Sequence, residues 1–371
     1  MAIPYAKLPS WAELGVMPAV NVIAGFVVAG IVVAFIGENP AKAMLILIDG
    51  ALGSLNNIFY TLFYATSFVF TGLAVAVAFH AGLFNIGGEG QAYVGGLGVA
   101  LVCLALDHYL PWWIVAPLAI VASALFGAAW AFIPGWLQAK RGSHIVITTI
   151  MFNFIASSMM VYLLVYWLKP LSAMGPSSRL FEAGGQIPQF SGMLKAMGVA
   201  AGSAPANLTL FLALAAAWGV WKLVWRTKFG YEMRTFGFSP TAATYAGISS
   251  VRITVLAMLI SGGLAGMMAV NNMMGNVHKL DIDFVFGAGF VGIAVALMGR
   301  SHPVGVVLSA LLFGVLYQGG AELSFSMPSI SRDMILVIQA LVILFAGALE
   351  NLFRPLMYFI VPAPTPVKEA A

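Results

Sequence analysis

The sequence predicts an all-α polytopic membrane protein with about ten transmembrane helices, some of them short or broken. Three observations carry this. Apolar residues make up 61% of the 371 positions and charged residues only 8%, against about 25% charged in ordinary globular proteins. Mean hydropathy is +0.97. The apolar runs are continuous, whereas the strands of a membrane barrel would alternate apolar and polar residues. Too few charges exist to cover a soluble surface of this size, which excludes a cytosolic enzyme. The net charge of +4 does not point to nucleic acid, because the 17 cationic residues are spread along the whole chain and form no run of five. A single cysteine, Cys103, excludes an internal disulfide and a Cys-ligated metal site. The expected surroundings are therefore a lipid bilayer, with no nucleic acid, metal or cofactor.

A hydrocarbon crossing takes about 20 mainly apolar residues. Ten segments qualify as candidates: 16–36, 58–79, 92–106, 112–138, 145–168, 208–225, 253–274, 284–298, 304–320 and 335–350. The third and eighth are short. The first follows Lys7 and Glu13, whose charges cancel, and is too long for a signal-peptide core. It is read as an uncleaved anchor, although Ala41-Lys42-Ala43 mimics a cleavage site. The segments form a single permease-like membrane domain over 1–371. Lysine and arginine bias sets the orientation. With the N-terminus inside, eleven of the 17 basic residues fall inside, from Lys7 to Arg354 and Lys368, and six fall outside. Both termini are then cytoplasmic, 169–207 is an extracytoplasmic loop with room for a short helix, and 226–252 is a cytoplasmic loop. Internal repetition is hinted at only by Gly72–Val77 and Gly292–Leu297, apolar hexamers of a kind that also match by chance.

The most informative stretch runs from His80 to Gln91, between two apolar segments with almost no aqueous loop. Four glycines (82, 87, 88 and 90) make a continuous helix costly, at about 1 kcal/mol each relative to alanine. A break at membrane depth is tolerated only against protein or a water-filled cavity. Asn85, Glu89 and Gln91 add polarity at the same place. Two readings stand: a broken re-entrant element beside a translocation path, or a tight cytoplasmic turn in which Glu89 is solvated or caps the helix beginning near 92. Thr149, Asn153 and Ser157 recur every fourth residue in the fifth segment, so they share one helix face. Such a stripe lines a path for a hydroxyl-rich solute, or serves as interhelical glue. His144, just before it, reads as an interfacial side chain rather than a proton relay.

In the cytoplasmic loop, Ser239-Pro240 reads as an N-cap followed by a first-turn proline. Gly247 reads as the stop after a short helix over 240–246. Flanked by Arg226, Lys228, Arg234 and Arg252, this helix is either a docking element, with Thr241 and Tyr245 on it, or part of an ordinary basic loop. The seventh segment carries Gly262-Gly263-Leu264-Ala265-Gly266, a pattern that permits close helix approach. It ends in Asn271, Asn272 and Asn276, which border the mouth of a path or form a solvated helix end. Enzyme signatures are missing: there is no His-Glu-x-x-His, no Gly-x-Ser-x-Gly and no P-loop. No catalytic residue is therefore assigned. Glu89 is the one carboxylate expected at membrane depth, which disfavours an ion-coupled secondary transporter, since these often need paired ionisable groups.

Three blocks carry a family resemblance: Gly82–Gln91, Ile147–Ala156, and Gly230–Gly237 continuing through Pro240 to Ile248. With them the chain resembles permeases of the branched-chain amino acid, ribose and nucleoside importer superfamily of ABC transporters. It is most similar to the nucleoside permeases that work with basic-membrane-protein-type lipoproteins. One departure is 142–144, Gly-Ser-His, where such relatives are expected to carry Gly-x-Asn-Glu. The resemblance implies the ABC importer permease fold and import of nucleosides or related purine and pyrimidine compounds, with a monosaccharide or another small polar solute as the alternative. It also implies a second homologous permease, a cytoplasmic ABC ATPase, an extracytoplasmic solute-binding protein, and a place in a bacterial plasma membrane. On that basis Asn85, Glu89, Gln91, Thr149, Asn153 and Ser157 are expected on the solute path. Arg234, Ser239, Pro240, Thr241, Tyr245 and Gly247 are expected to couple to the ATPase.

Overall fold

A computed structural model of the chain describes residues 16–171 and 174–345. The basic residues Lys7, Arg354 and Lys368 and the end of the tenth segment, 346–350, lie outside the described residues. All regular structure among the described residues is helical, apart from two isolated bridges, Ser177 to Asp281 and Gln189 to Asn207. Among the described residues, six helices are long and apolar enough to cross a membrane. The chain divides into two compact units, one from its two ends and one over 49–318.

In the unit formed by the ends, α1 (Met17–Phe35) packs on α14 (Arg332–Ile343). At Gly25 a Cβ would lie 2.9 Å from Val342 Cα, so the backbones nearly touch. Between them begins α2 (Pro40–Leu52), an element not expected from hydropathy. Asn39 caps it by accepting from the backbone N–H of Ala41 and Lys42.

The larger unit contains the remaining elements. They are α3 (Leu55–His80), α4 (Gly88–Leu106), α5 (Trp112–Arg141), α6 (Ile145–Leu163), α7 (Phe190–Ala196), α8 (Thr209–Arg226), α9 (Lys228–Phe238), α10 (Pro240–Tyr245), α11 (Ser250–Asn272), α12 (Ala288–Met298) and the first part of α13 (Pro303–Ser326). A single π turn prolongs α6 to Leu168 and another prolongs α11 to Val277. At the centre, α11 runs beside α3, α4 and α5. Its glycine pattern supplies the close approach that small residues permit. A Cβ on Gly266 would fall 2.3 Å from Ser123 O of α5, and one on Gly95 of α4 only 2.4 Å from Gly266 Cα.

Two helices are interrupted in the same way. α3 ends at His80 in a Schellman turn: Gly82 adopts φ +69°, its N–H reaches Phe79 O, and Leu83 N–H reaches Ala78 O. The chain then runs back without helix through residue 87 before α4 begins at Gly88, four residues earlier than the hydropathy edge. The second interruption follows α11, where the chain leaves the π turn at His278 and stays non-helical to Gly287. From there α12 starts, eleven residues long, about 16 Å and only half a hydrocarbon crossing. α12 runs alongside α3 in the same direction, with Gly292 against Thr71 and Ser301 at the level of His80. The two matching hexamers of the sequence are thus packing partners on α3 and α12. They are not equivalent positions in the two interrupted helices, so they do not mark a repeat.

The segment 169–207 and the helices α9 and α10 lie at opposite ends of this unit. The first is tied to the end of α4: Arg179 donates to both carboxylate oxygens of the buried Asp107, at 2.7 and 2.9 Å, and Glu182 N–H donates to it as well. Burial would raise the Asp107 pKa, but these bonds outweigh it and hold the carboxyl below its ordinary value. At the opposite end, Gly237 of α9 abuts the last turn of α3. A Cβ there would lie 2.3 Å from His80 O.

Candidate functional site

The interrupted stretch 81–87 folds back into the helix bundle. Asn85 Nδ2 donates to Ser261 Oγ at 2.8 Å, and Ser261 Oγ donates to Ala74 O at 2.6 Å. Ala74 is six residues back from the end of α3, about 9 Å along the helix axis, and Ser261 is eleven residues into α11, about 16 Å from its start. The chain therefore turns back into the protein after Gly82 and does not form a solvent-exposed turn.

Polar groups freed by the break find partners in the protein. Asn85 Oδ1 accepts from Gly87 N–H and from Gln91 Nε2, and Asn85 Nδ2 also donates to Gln91 Oε1. Asn153 of α6 clamps the same stretch, accepting from Gly90 N–H and donating to Ile86 O, both at 2.9 Å. Thr149, fully buried, returns its hydroxyl to Ile145 O one turn back and packs beside Gly87. Ser157, one turn beyond Asn153, is half-buried and takes no part in the cluster. Five of the six expected path residues thus meet in one place.

Glu89 is neither solvated nor a cap for its own helix. Its side chain crosses to α12, where Oε1 accepts from Gly287 N–H at 3.0 Å and Oε2 from Gly289 N–H at 2.8 Å. The N-termini of α4 and α12 meet here, and each carries the partial positive charge of unsatisfied N–H groups. The Glu89 side chain sits in the first turn of α4 and on the N–H groups of α12, so one carboxyl group joins both ends. Only glycine fits at 289, since a Cβ would lie 2.2 Å from Glu89 N. Sequence reasoning missed Ser261, Gly287 and Gly289. The Gly-Ala-Gly run at 287–289 was the local signal for a second break.

The end of α11 corrects one expectation. Asn271 and Asn272 are not a solvated helix end: they are 1% and 2% exposed. Asn271 joins a buried network, donating to Phe63 O and Ser67 Oγ and accepting from Thr209 and Asn207. Asn272 Nδ2 donates to Phe284 O at 2.5 Å.

At the other end of the unit, α10 is a capped single turn and a half. Ser239 Oγ accepts from Ala242 N–H at 3.4 Å, Pro240 takes the first helical position, and Gly247 at φ +82° ends the turn. Ala243 is buried against the protein while Pro240, Thr241 and Tyr245 project outward, Tyr245 with 90% of its surface open. Shallow grooves flank α10, one lined by Phe236, Pro240, Thr241, Thr244 and Tyr245, the other by Tyr231, Arg234, Phe238 and Ser239. Arg234 is half-buried, and its Nε has no hydrogen-bond partner.

Among the described residues, the larger unit is thus a helical bundle in which two interrupted helices meet through Glu89, with an outward-facing capped helix at one end. Residues 57–347 match the family described as branched-chain amino acid transport system / permease component. The chain belongs to this family, and with it to the multi-pass permeases of ABC transporters. It is similar to the guanosine ABC transporter permease protein NupP of Bacillus subtilis, 32% identical over 90% of this chain and 92% of the relative. It is also similar to the nucleoside ABC transporter permease protein NupB of Lactococcus lactis subsp. cremoris, 32% identical over 89% of each. A glucose ABC transporter permease protein of Haloferax volcanii is 31% identical over 92% of this chain and 89% of its own length.

Proposed function

We propose that the chain is the membrane subunit of an ATP-driven importer for nucleosides, performing no bond chemistry of its own. It forms half of a path with a second, homologous permease. A cytoplasmic ABC ATPase supplies the force, and an extracytoplasmic binding protein delivers the solute in a bacterial plasma membrane. The observation that carries this reading is similarity over nine-tenths of the chain to permeases named for guanosine and nucleosides. The similar glucose permease supports a second reading, a monosaccharide as solute.

In this account the Asn85–Glu89–Gln91 element, with Thr149, Asn153 and Ser157, forms a wall of the path. Arg234, Ser239, Pro240, Thr241, Tyr245 and Gly247 form the surface that meets the ATPase. Support comes from the exposed capped helix α10 and from the excess of basic residues on its side of the membrane, in keeping with both termini in the cytoplasm. Closure of the ATPase would move α10 and α9, and the contact of Gly237 with His80 would carry that movement to the re-entrant stretch.

Competition decides between the two solutes. In cells carrying the complete assembly, uptake of labelled guanosine is expected to be suppressed by excess inosine and unaffected by excess glucose. Glucose competition, or glucose uptake without guanosine uptake, would favour the sugar instead.

A further inference from the structure

Beside the second interrupted helix lies an aromatic cleft that none of the contacts described above explains. It is lined by Phe63, Tyr64 and Phe68 of α3, Phe286 before α12, Tyr317 of α13, and Asn272. The walls are rings already in contact, with Phe68 and Tyr317 centroids 4.8 Å apart and Tyr64 and Tyr317 5.8 Å apart. No charged side chain lines it. At its base, Asn272 spends its Nδ2 on Phe284 O and leaves Oδ1 without a partner, although the residue is 2% exposed. A buried amide oxygen with no donor is costly and uncommon. At the rim, Phe286 holds φ +54° and is half open to its surroundings. A bulky residue in the left-handed region is a backbone outlier of the kind that gathers at ligand clamps and switches.

We infer that this cleft is a contact site for the base of the transported nucleoside, with Asn272 Oδ1 accepting a hydrogen bond from an N–H on the base edge. The inference rests on the nucleoside reading above and names the part of the solute that is recognised. Flat aromatic walls without charge, with the unpartnered Asn272 amide oxygen at the base and Ser67 beside it, suit a neutral, planar heteroaromatic ring. In this conformation the rings close on one another in the place of a base. The site opens when Tyr317 and Phe286 part, as the two access states alternate.

The test uses the complete assembly and two nucleosides differing at the base edge. Guanosine offers N–H donors; purine riboside offers none. Asn272→Leu is expected to lower maximal guanosine uptake about tenfold while leaving purine riboside uptake within twofold of the unmodified protein. Equal loss of both solutes, or loss of neither, would overturn the assignment. Phe286→Ala, at the open rim, keeps the packed interior and removes a stacking face shared by all bases. It is expected to lower uptake of both nucleosides severalfold, and unchanged uptake of both would also overturn the site. If the unmodified assembly carries no nucleoside, the nucleoside reading itself falls and the cleft assignment with it. Uptake by the unmodified assembly with no selective effect at 272 removes the cleft alone.

Discussion

Glu89 ties two helix ends together through one carboxyl group. Both its oxygens hold N–H groups of the α12 terminus, and losing a cap of this kind costs about 0.5–2 kcal/mol. Glu89→Gln keeps one acceptor and turns an amide N–H₂ toward the other backbone N–H. The variant is expected to insert normally but to unfold at lower temperature in detergent, with Glu89→Ala lower still. Thermal unfolding unchanged in both would contradict the capping role. Asn153→Leu strips Gly90 N–H and Ile86 O of their partners, and buried unsatisfied groups cost about 1–3 kcal/mol each. That variant is expected to reach the membrane and to lose most of its uptake. At this scale the sequence was partly legible. Residues 85, 89, 91, 149 and 153 stood out because polar side chains are rare in apolar runs, but their partners did not. The groups Glu89 holds lie about 200 residues further on, and no local spacing encodes such a pairing. Asn272 was misread because a polar residue closing an apolar run ordinarily marks a helix end in solvent. Here a π turn and the segment 278–287 fold over it.

At the scale of elements, four glycines in nine residues made the first interruption visible, because each is costly in a helix and together they leave no continuous alternative. The second interruption read as an ordinary polar connection before a short apolar segment, because His278, Lys279, Asp281 and Asp283 fall in it. Helix α2 escaped the hydropathy reading because it is shorter than a span and carries Lys42 and Asp49. The helix at 240–245, by contrast, was legible from its cap and stop alone. How it connects to the rest was not: Gly237 gave no sign that it lies against the end of α3. Gly237→Ala would press a methyl group into His80 O. Uptake is expected to fall severalfold while the ATPase still co-purifies with the membrane subunit. Replacing Thr241–Tyr245 by a Gly/Ser stretch is expected to release the ATPase or to abolish solute-stimulated hydrolysis. Unchanged hydrolysis in that variant would remove the docking role from α10, and full uptake by Gly237→Ala would remove the link between α9 and the break.

For the whole molecule, composition alone settled the membrane class, because 8% charged residues cannot solvate a chain of this length. The three sequence blocks pointed to the permease family to which the chain belongs. What composition could not give is the way the larger unit is built, from two interrupted helices whose N-termini meet near the middle and share one carboxylate. The central claim is that this chain is a passive half of a gate. Reconstitution in liposomes tests it most directly, comparing the chain alone, under proton or sodium gradients, with the complete assembly supplied with ATP and binding protein. The account expects uphill accumulation of guanosine only in the complete, ATP-supplied assembly. Accumulation against a gradient by the chain alone would contradict it.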